Sequence, residues 1–184
     1  KAESNDLEKI MVFASLYGLE NKFDLSGAYY TKREESLDFK LDIATLDFKV
    51  LEPFLEGIVY DLKGILTGDI TIQGSTSRPE VNGEGEFTGM ELRIKETAAL
   101  IKIDKQKLKL TESKVHFEKF LVKDEANQEM LINGQIDFSK LPDFEYRLNV
   151  KADNFKIASS ERGQSELFYG TAFLETNLNI RGGG

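Results

Sequence analysis

Ser36-Leu37-Asp38-Phe39-Lys40-Leu41-Asp42-Ile43 alternates polar and apolar residues without a break. A strand sends successive side chains to opposite faces, so Leu37, Phe39, Leu41 and Ile43 share one face, and Ser36, Asp38, Lys40 and Asp42 share the other. This is the pattern of a half-buried strand. The same period of two recurs in Leu66-x-Gly68-x-Ile70-x-Ile72, in Leu108-x-Leu110 and in Val115-x-Phe117. It returns in Ile132-x-Gly134-x-Ile136-x-Phe138, in Tyr146-x-Leu148-x-Val150-x-Ala152 and in Leu174-x-Thr176-x-Leu178-x-Ile180. About a dozen strands follow, at spacings that suit consecutive antiparallel pairing. Turn chemistry separates them at Asp104-Lys105, from Asp124 to Asn127, and from Lys140 to Asp143 around Pro142.

The pattern around Leu41 also returns further along the chain. Leu25, Gly27, Tyr29, Phe39, Leu41, Ile43, Phe48, Lys49 and Val50 match Ile132, Gly134, Ile136, Tyr146, Leu148, Val150, Phe155, Lys156 and Ile157, each 107 positions later. After one residue of slippage, Leu66, Ile70, Ile72 and Gly74 match Leu174, Leu178, Ile180 and Gly182. The chain reads as one domain, residues 1–184, with an internal duplication over about 25–74 and 132–182. A fold that repeats strand by strand without a helical period is expected to be elongated, and such folds hold or guide things more often than they catalyse.

Two segments depart from alternation. Leu51, Phe54, Leu55 and Ile58 recur at helical steps while Glu52 and Glu56 face outward, and Pro53 suits a first helical turn, so Leu51–Ile58 is predicted as the one short helix. In the second copy, Ala158 to Glu166 is polar and is expected to be a loop. Gly74-Ser75-Thr76-Ser77-Arg78-Pro79 reads as an irregular connection whose proline excludes a central strand. Gly83-Glu84-Gly85 lacks the third glycine of a dinucleotide loop and reads as a flexible strand start.

Composition narrows the function classes. At 40% hydrophobic the chain can bury a core, and no run approaches the ~18 apolar residues of a membrane span. The first residues, KAESNDLEKI, lack a signal-peptide pattern. The closing Arg181-Gly182-Gly183-Gly184 reads as a cut point within a longer protein. A net charge of −8 lacks the basic footprint that nucleic acid requires. Between Ala98 and Lys123, lysines 102, 105, 107, 109, 114, 119 and 123 outnumber Asp104, Glu112 and Glu118, which reads as a solvated outer strand face.

Catalytic material is sparse. There is no cysteine, and the one histidine, His116, alternates with Val115 and Phe117 onto the polar face. Asp38, Asp42, Glu84 and Glu86 fall in the polar phase of strands, where a solvated carboxylate is the default. The sequence therefore implies no enzyme, cofactor or metal. What remains is an apolar face rich in the thirteen phenylalanines and six tyrosines of the chain. In a closed β-sandwich two such faces satisfy each other. In an open, curled sheet the same face lines a trough that must bind something. Periodicity alone favours the sandwich.

Several phrases shift that balance. Phe23-Asp24-Leu25-Ser26-Gly27-Ala28-Tyr29, Leu46-Asp47-Phe48-Lys49-Val50-Leu51-Glu52-Pro53-Phe54 and Leu66-Thr67-Gly68-Asp69-Ile70-Thr71-Ile72-Gln73-Gly74-Ser75, with Arg78-Pro79 and Val81-x-Gly83, come in this order. Phe120-x-Val122-x-Asp124, Leu131-Ile132-Asn133-Gly134 and Leu167-Phe168-Tyr169-Gly170-Thr171-Ala172 continue the series. In order and spacing they resemble the C-terminal domain of the translocation and assembly module TamB family, related to the AsmA-like bridge lipid-transfer proteins. Glu125-Ala126-Asn127 stands where the family often has a glycine, a difference of turn type.

The resemblance implies an all-β fold: an elongated, curled, antiparallel-rich sheet, a β-taco or U-shaped groove with an apolar concave face. It implies the periplasmic part of an inner-membrane-anchored protein of a Gram-negative bacterium, active in outer-membrane biogenesis. Its role would be to shelter phospholipid acyl chains passing between the inner and outer membranes. The alternative is a chaperone-like scaffold that helps outer-membrane proteins assemble by β-augmentation. The chain stops before the family segment associated with the outer-membrane partner TamA, so contact with a TamA-like, BamA-related protein belongs to the parent.

On this reading the groove is lined in the first half by Leu37, Phe39, Leu41, Ile43, Leu66, Ile70 and Ile72. Leu108, Leu110, Ile132, Ile136 and Phe138 continue it, and Tyr146, Leu148, Val150, Leu174, Leu178 and Ile180 complete it. Phe54 and Leu55 are expected to plug it.

Overall fold

The alternating segments pair into a single antiparallel sheet, described by a computed structural model for residues 8–18, 20–140, 142–160 and 169–183. The first strands are β1 (Lys9–Gly18), β2 (Asn21–Tyr30), β3 (Leu37–Asp47), β4 (Val59–Ser75) and β5 (Arg78–Ile94). Then come β6 (Leu100–Ile103), β7 (Gln106–Thr111), β8 (Lys114–Lys123), β9 (Glu129–Lys140), β10 (Asp143–Ser160) and β11 (Gly170–Gly183). Short connections of this kind let each strand lie against the next, and the order follows the chain throughout. The short strands β6 and β7 share one lane, β6 against Met90–Arg93 of β5 and β7 against Gly83–Phe87, with the break at Asp104-Lys105. Among the described residues all eleven strands belong to one sheet whose edges are β1 and β11, rather than to two separate sheets.

Several local expectations are corrected. The helix is a 3-10 helix over Phe48–Phe54 rather than one over Leu51–Ile58. Asp47 starts it early by accepting the Lys49 N–H, and Gly57, at φ 95°, takes the chain out of helical geometry before Ile58. Pro79 lies inside the central strand β5, opposite Gly74. A proline is tolerated there because the next lane starts pairing only at Gly83. Gly83-Glu84-Gly85 is mid-strand, and its glycines lie opposite Ile70 and Gly68. β10 continues as strand through Ser160, while 161–168, including the rest of the expected loop and Leu167-Phe168, lie outside the described residues.

Strand bulges interrupt the pairing along a band across the sheet. Register shifts fall between Ile43 and Leu46 on β3, around Lys63 on β4, between Phe117 and Phe120 on β8, and between Ala152 and Phe155 on β10. Lys119 at φ 51° and Asn154 at φ 51° are the displaced residues of the last two, and Asn133 Oδ1 accepts the Lys119 N–H at 2.8 Å. A bulge adds twist and bend to its strand. Beside this band Phe120, Val122, Ala152 and Phe155 form the buried core, with Phe87, Ile101, Leu108, Phe117, Met130 and Leu174 packed around them.

The middle lanes are short, and their neighbours run past them. Beyond the β7–β8 turn, β5 and β9 converge on Ser113, whose N–H donates to the Val81 carbonyl and whose own carbonyl accepts from the Phe138 N–H, both at 2.9 Å. Its hydroxyl accepts from Val81 N–H and donates to the Pro79 carbonyl. Beyond the β8–β9 turn, Asp124 plays the same part. Its Oδ1 accepts the N–H groups of Ala126 and Gln128, and its Oδ2 accepts the Lys156 N–H of β10 at 2.8 Å. Further along, Ser159 of β10 donates to the carbonyl of Thr97 in the β5–β6 turn. A flat sheet would hold the β6 and β10 lanes about 14 Å apart, so the sheet bends there.

Both polar residues are almost wholly buried. Removing the Asp124 carboxylate orphans up to three N–H groups, and Asp124→Ala is expected to lower stability by about 2–4 kcal/mol. Asp124→Asn should cost nearly as much, because an amide can present only one acceptor and its NH2 would face a donor. Urea unfolding checks this; an unchanged midpoint for both variants would mean that the tip does not fasten the sheet.

Candidate functional site

Directly opposed residues of an antiparallel pair point to the same side, so the registers define the two faces. Leu41 opposes Leu25 and Ile70, Ile70 opposes Gly83, and Gly83 opposes Leu110. Leu110 opposes Val115, Val115 opposes Ile136, Ile136 opposes Tyr146, and Tyr146 opposes Gly182. A parallel row runs from Phe23 and Ile43 through Gly68, Gly85 and Leu108, and another from Phe117 through Gly134 and Leu148 to Ile180.

The registers bring all eighteen residues expected to line a groove onto one face. Their exposure is not that of a closed core. Ile43 and Val150 are buried, while Leu37, Phe39, Leu41, Leu66, Ile70, Ile72, Leu108 and Leu110 are half-buried. So are Ile132, Ile136, Phe138, Tyr146, Leu148 and Leu174, whereas Leu178 is 50% and Ile180 37% exposed. The bulges keep this face apolar by moving Leu46, Phe120 and Phe155 back to it after a three-residue step.

Glycines shape the wall. Gly27 (φ 156°) and Gly134 (φ 128°) hold matched positions in the two halves of the chain. A Cβ on Gly27 would run into the Asp38 carbonyl and the ring of Phe39, and one on Gly134 into the Arg147 carbonyl and Leu148. Neighbouring strands thus approach closely, and Phe39 lies over bare backbone.

The opposite face is ionic. The lysine-rich segment sits beside the glutamates of β5: Lys109 opposes Glu84, Lys107 opposes Glu86, and Lys102 opposes Glu91. Lys105 Nζ lies 3.1 Å from Glu86, and Lys40 Nζ 3.1 Å from Asp69. Hydrogen bonds that Lys40 donates to Asp69 and Lys123 donates to Asp104 raise both amines above their ordinary values. The Ser15 and Tyr17 hydroxyls hold Asp24 below the usual carboxylate range. The Ser139 hydroxyl and N–H, with Lys114 nearby, do the same for Asp137. His116 lies on this face between Lys109 and Gln135, and among the described residues no group of His, Cys, Asp or Glu side chains could hold a metal ion.

The expected plug is misplaced. Phe54 is 82% exposed and Leu55 is half-buried, while Phe48, six residues earlier, is buried and stacks on Phe87 at 5.5 Å. The early helix start turns Phe48 inward and Phe54 outward. Phe87 in turn meets Phe120 edge-on at 6.2 Å, and Phe120 meets Phe117 at 5.4 Å. This aromatic chain escaped the reading by strict alternation. The signal was the three-residue step from Phe117 to Phe120, which only a bulge reconciles with one face. No protein-family model, curated protein or solved structure matches the chain.

Phe48→Ala is expected to destabilise the fold by about 3 kcal/mol. Phe54→Ala should change it by no more than ~0.5 kcal/mol. Thermal melts of the two variants test the assignment, and equal losses would return Phe54 to a packing role.

Proposed function

We propose that the apolar face shelters acyl chains, and that the chain is the periplasmic segment of a TamB-like outer-membrane biogenesis protein that moves phospholipid between the two membranes of a Gram-negative bacterium. The role is non-enzymatic. One observation supports it above the others: eighteen apolar positions share one face of one sheet, yet sixteen of them stay at least partly exposed. A face of that extent on a soluble protein requires a partner. In this reading the bulged band makes the face concave. The ten lanes at ~4.8 Å spacing give a path about 43 Å long. Each methylene taken from water contributes about 0.8 kcal/mol, and an apolar wall has no hydrogen bonds to break as a chain slides. No helix among the described residues is long and apolar enough to cross a membrane, and contact with a TamA-like partner belongs in this reading to the parent protein.

Leu41 and Asp42 separate the faces cleanly. Leu41 lies mid-row on the apolar side, and Asp42 is exposed between Asp24 and Asp69, which would welcome an arginine. Delipidated protein should bind a fluorescent fatty acid, and native mass spectrometry of the protein as purified should show bound lipid. Leu41→Arg should weaken fatty-acid binding at least about tenfold, since a desolvated charge enters the path. Asp42→Arg should bind as the parent does. Equal binding by both folded variants, or none by the parent, would sink the acyl-chain reading.

The strand-capturing scaffold keeps support from β1. This edge strand carries one charge, Lys9, in ten residues, and exposes Met11, Phe13 (72%) and Tyr17 on one face and Ile10 and Leu16 on the other. Edge strands ordinarily carry charge or proline to prevent pairing. A photo-cross-linker at Ser15 should capture an alternating strand peptide if this reading holds, and Phe13→Lys should reduce the capture several-fold. Capture that is absent, or indifferent to Phe13→Lys, would remove β1 as a docking edge.

A further inference from the structure

Among the described residues the sheet ends in two edges, β1 and β11, and they are built differently. Along β11 the pairing with β10 shifts register between Ala152 and Phe155 and again between Lys156 and Ala158, and the strand carries Glu175 and Arg181. Bulges and charges of this kind keep an edge from pairing further. β1 has no bulge, and its one charge, Lys9, stands at its first position. Its register against β2 runs unbroken from Lys9 opposite Tyr30 to Gly18 opposite Asn21. It also has no acidic residue, in a chain of net charge −8.

β1 departs as well from the two-sided pattern of its neighbours. Phe13 opposes Ser26, which opposes Lys40, and Met11 opposes Ala28, which opposes Asp38, so both lie on the ionic face. On the other face Ile10 opposes Tyr29 and Leu16 opposes Phe23, at the start of the apolar rows. All four side chains are exposed.

The ladder shows which backbone groups are open. The Glu8 carbonyl accepts the Thr31 N–H at 3.2 Å, and in an antiparallel pair the backbone turns to its partner at every second residue. Even-numbered residues of β1 therefore bond β2, while Lys9, Met11, Phe13, Ser15 and Tyr17 turn their N–H and C=O groups to the open edge. A twofold axis through Phe13, perpendicular to the sheet, matches these groups completely between two copies. Phe13 then faces Phe13, Met11 faces Ser15, and Lys9 faces Tyr17 of the second copy. Both apolar faces stay on one side, with Ile10 facing Leu16 and Val12 facing Ala14. No like charges meet, and the one cation comes to an aromatic ring.

We propose that β1 is a homodimer interface, at which two copies pair their first strands antiparallel about Phe13 into one continuous sheet. A twofold interface requires a surface complementary to itself, and β1 meets that requirement in backbone, apolar phase and charge. The proposal is independent of the acyl-chain reading, and it gives β1 an occupant other than a foreign strand.

Sedimentation of the full chain over a range of concentrations should show monomer and dimer and no larger species, because the bulged and charged β11 edge does not pair. Phe13→Lys brings two lysines together at the axis and should raise the dimer dissociation constant at least about tenfold. Met11→Pro removes an N–H that β2 does not use, so it should weaken the dimer as much while circular dichroism shows the sheet intact. Cysteines test the register, since the chain has none of its own. Val12→Cys and Ala14→Cys chains, mixed and oxidised, should form a disulfide between unlike copies about tenfold faster than either chain forms one alone. A monomer at every concentration, a ladder of oligomers that grows with concentration, or a dimer that survives both edge substitutions overturns the interface. Equal cross-linking of like and unlike copies overturns the pairing about Phe13.

Discussion

The long strands in the middle of this sheet outrun the hairpins beside them, and the surplus backbone must find hydrogen-bond partners. β5 and β9 extend past the β7–β8 turn, and β10 extends past the β8–β9 turn. Left alone, these segments would present unpaired amides and carbonyls where apolar side chains are trying to bury. Ser113 and Asp124 solve the problem from the hairpin tips, each joining strands that a flat sheet would keep apart. A short hairpin held at its tip by longer flanking strands forces them toward each other. The curvature of the middle lanes is thus a consequence of strand length and of two buried polar side chains.

The bulged band has a related origin. A strand that bends must break the two-residue period somewhere, and each break threatens to turn an apolar residue outward. Here the breaks fall beside phenylalanines. Phe117 and Phe120 both stay on the apolar face because Lys119 is pushed out between them, and Asn154 does the same ahead of Phe155. Phe48 and Phe87 complete the contact across lanes that are not neighbours. Dense packing is therefore concentrated beside the band, and the rows through Leu41, Ile70, Ile136 and Leu148 remain half-covered.

This division explains what could be read from the residues alone. Alternation around Leu41 identifies strands, their faces and the antiparallel meander, because a period of two needs only local information. It cannot locate bulges, since a three-residue step looks like noise until the partner strand is known. Pro79 misled for the same reason: whether a proline is tolerated depends on where the next lane begins. Helical spacing alone places the start at Leu51 and turns Phe54 inward, whereas the Asp47 cap sets the start three residues earlier, at Phe48. The 107-residue offset is instructive as well. Gly27 opposes Phe39, but Gly134 opposes Leu148 rather than the matching Tyr146, so the second hairpin pairs two residues further along. An even slip leaves every face unchanged, which is why matched positions can share a side without sharing a register.

Separating the packed band from the half-open rows has a functional consequence under the acyl-chain reading. A surface that both holds the fold together and receives a ligand cannot be emptied without a loss of stability. In this sheet the wholly buried side chains, Phe155, Asp124 and Ser113, lie at the core or at the hairpin tips, away from the central rows. Strand pairing supports those rows from below through backbone hydrogen bonds that a bound chain would not touch. Ligand exchange would then change the solvation of Leu41, Ile70 and Ile136 while the band and the tips keep the curvature. The glycines add to this, since Gly27 and Gly134 let large neighbours lie flat and keep the wall low where a chain would slide. In that reading the curvature would be set by polar groups at the hairpin tips, and affinity would come from apolar side chains that the fold leaves partly uncovered.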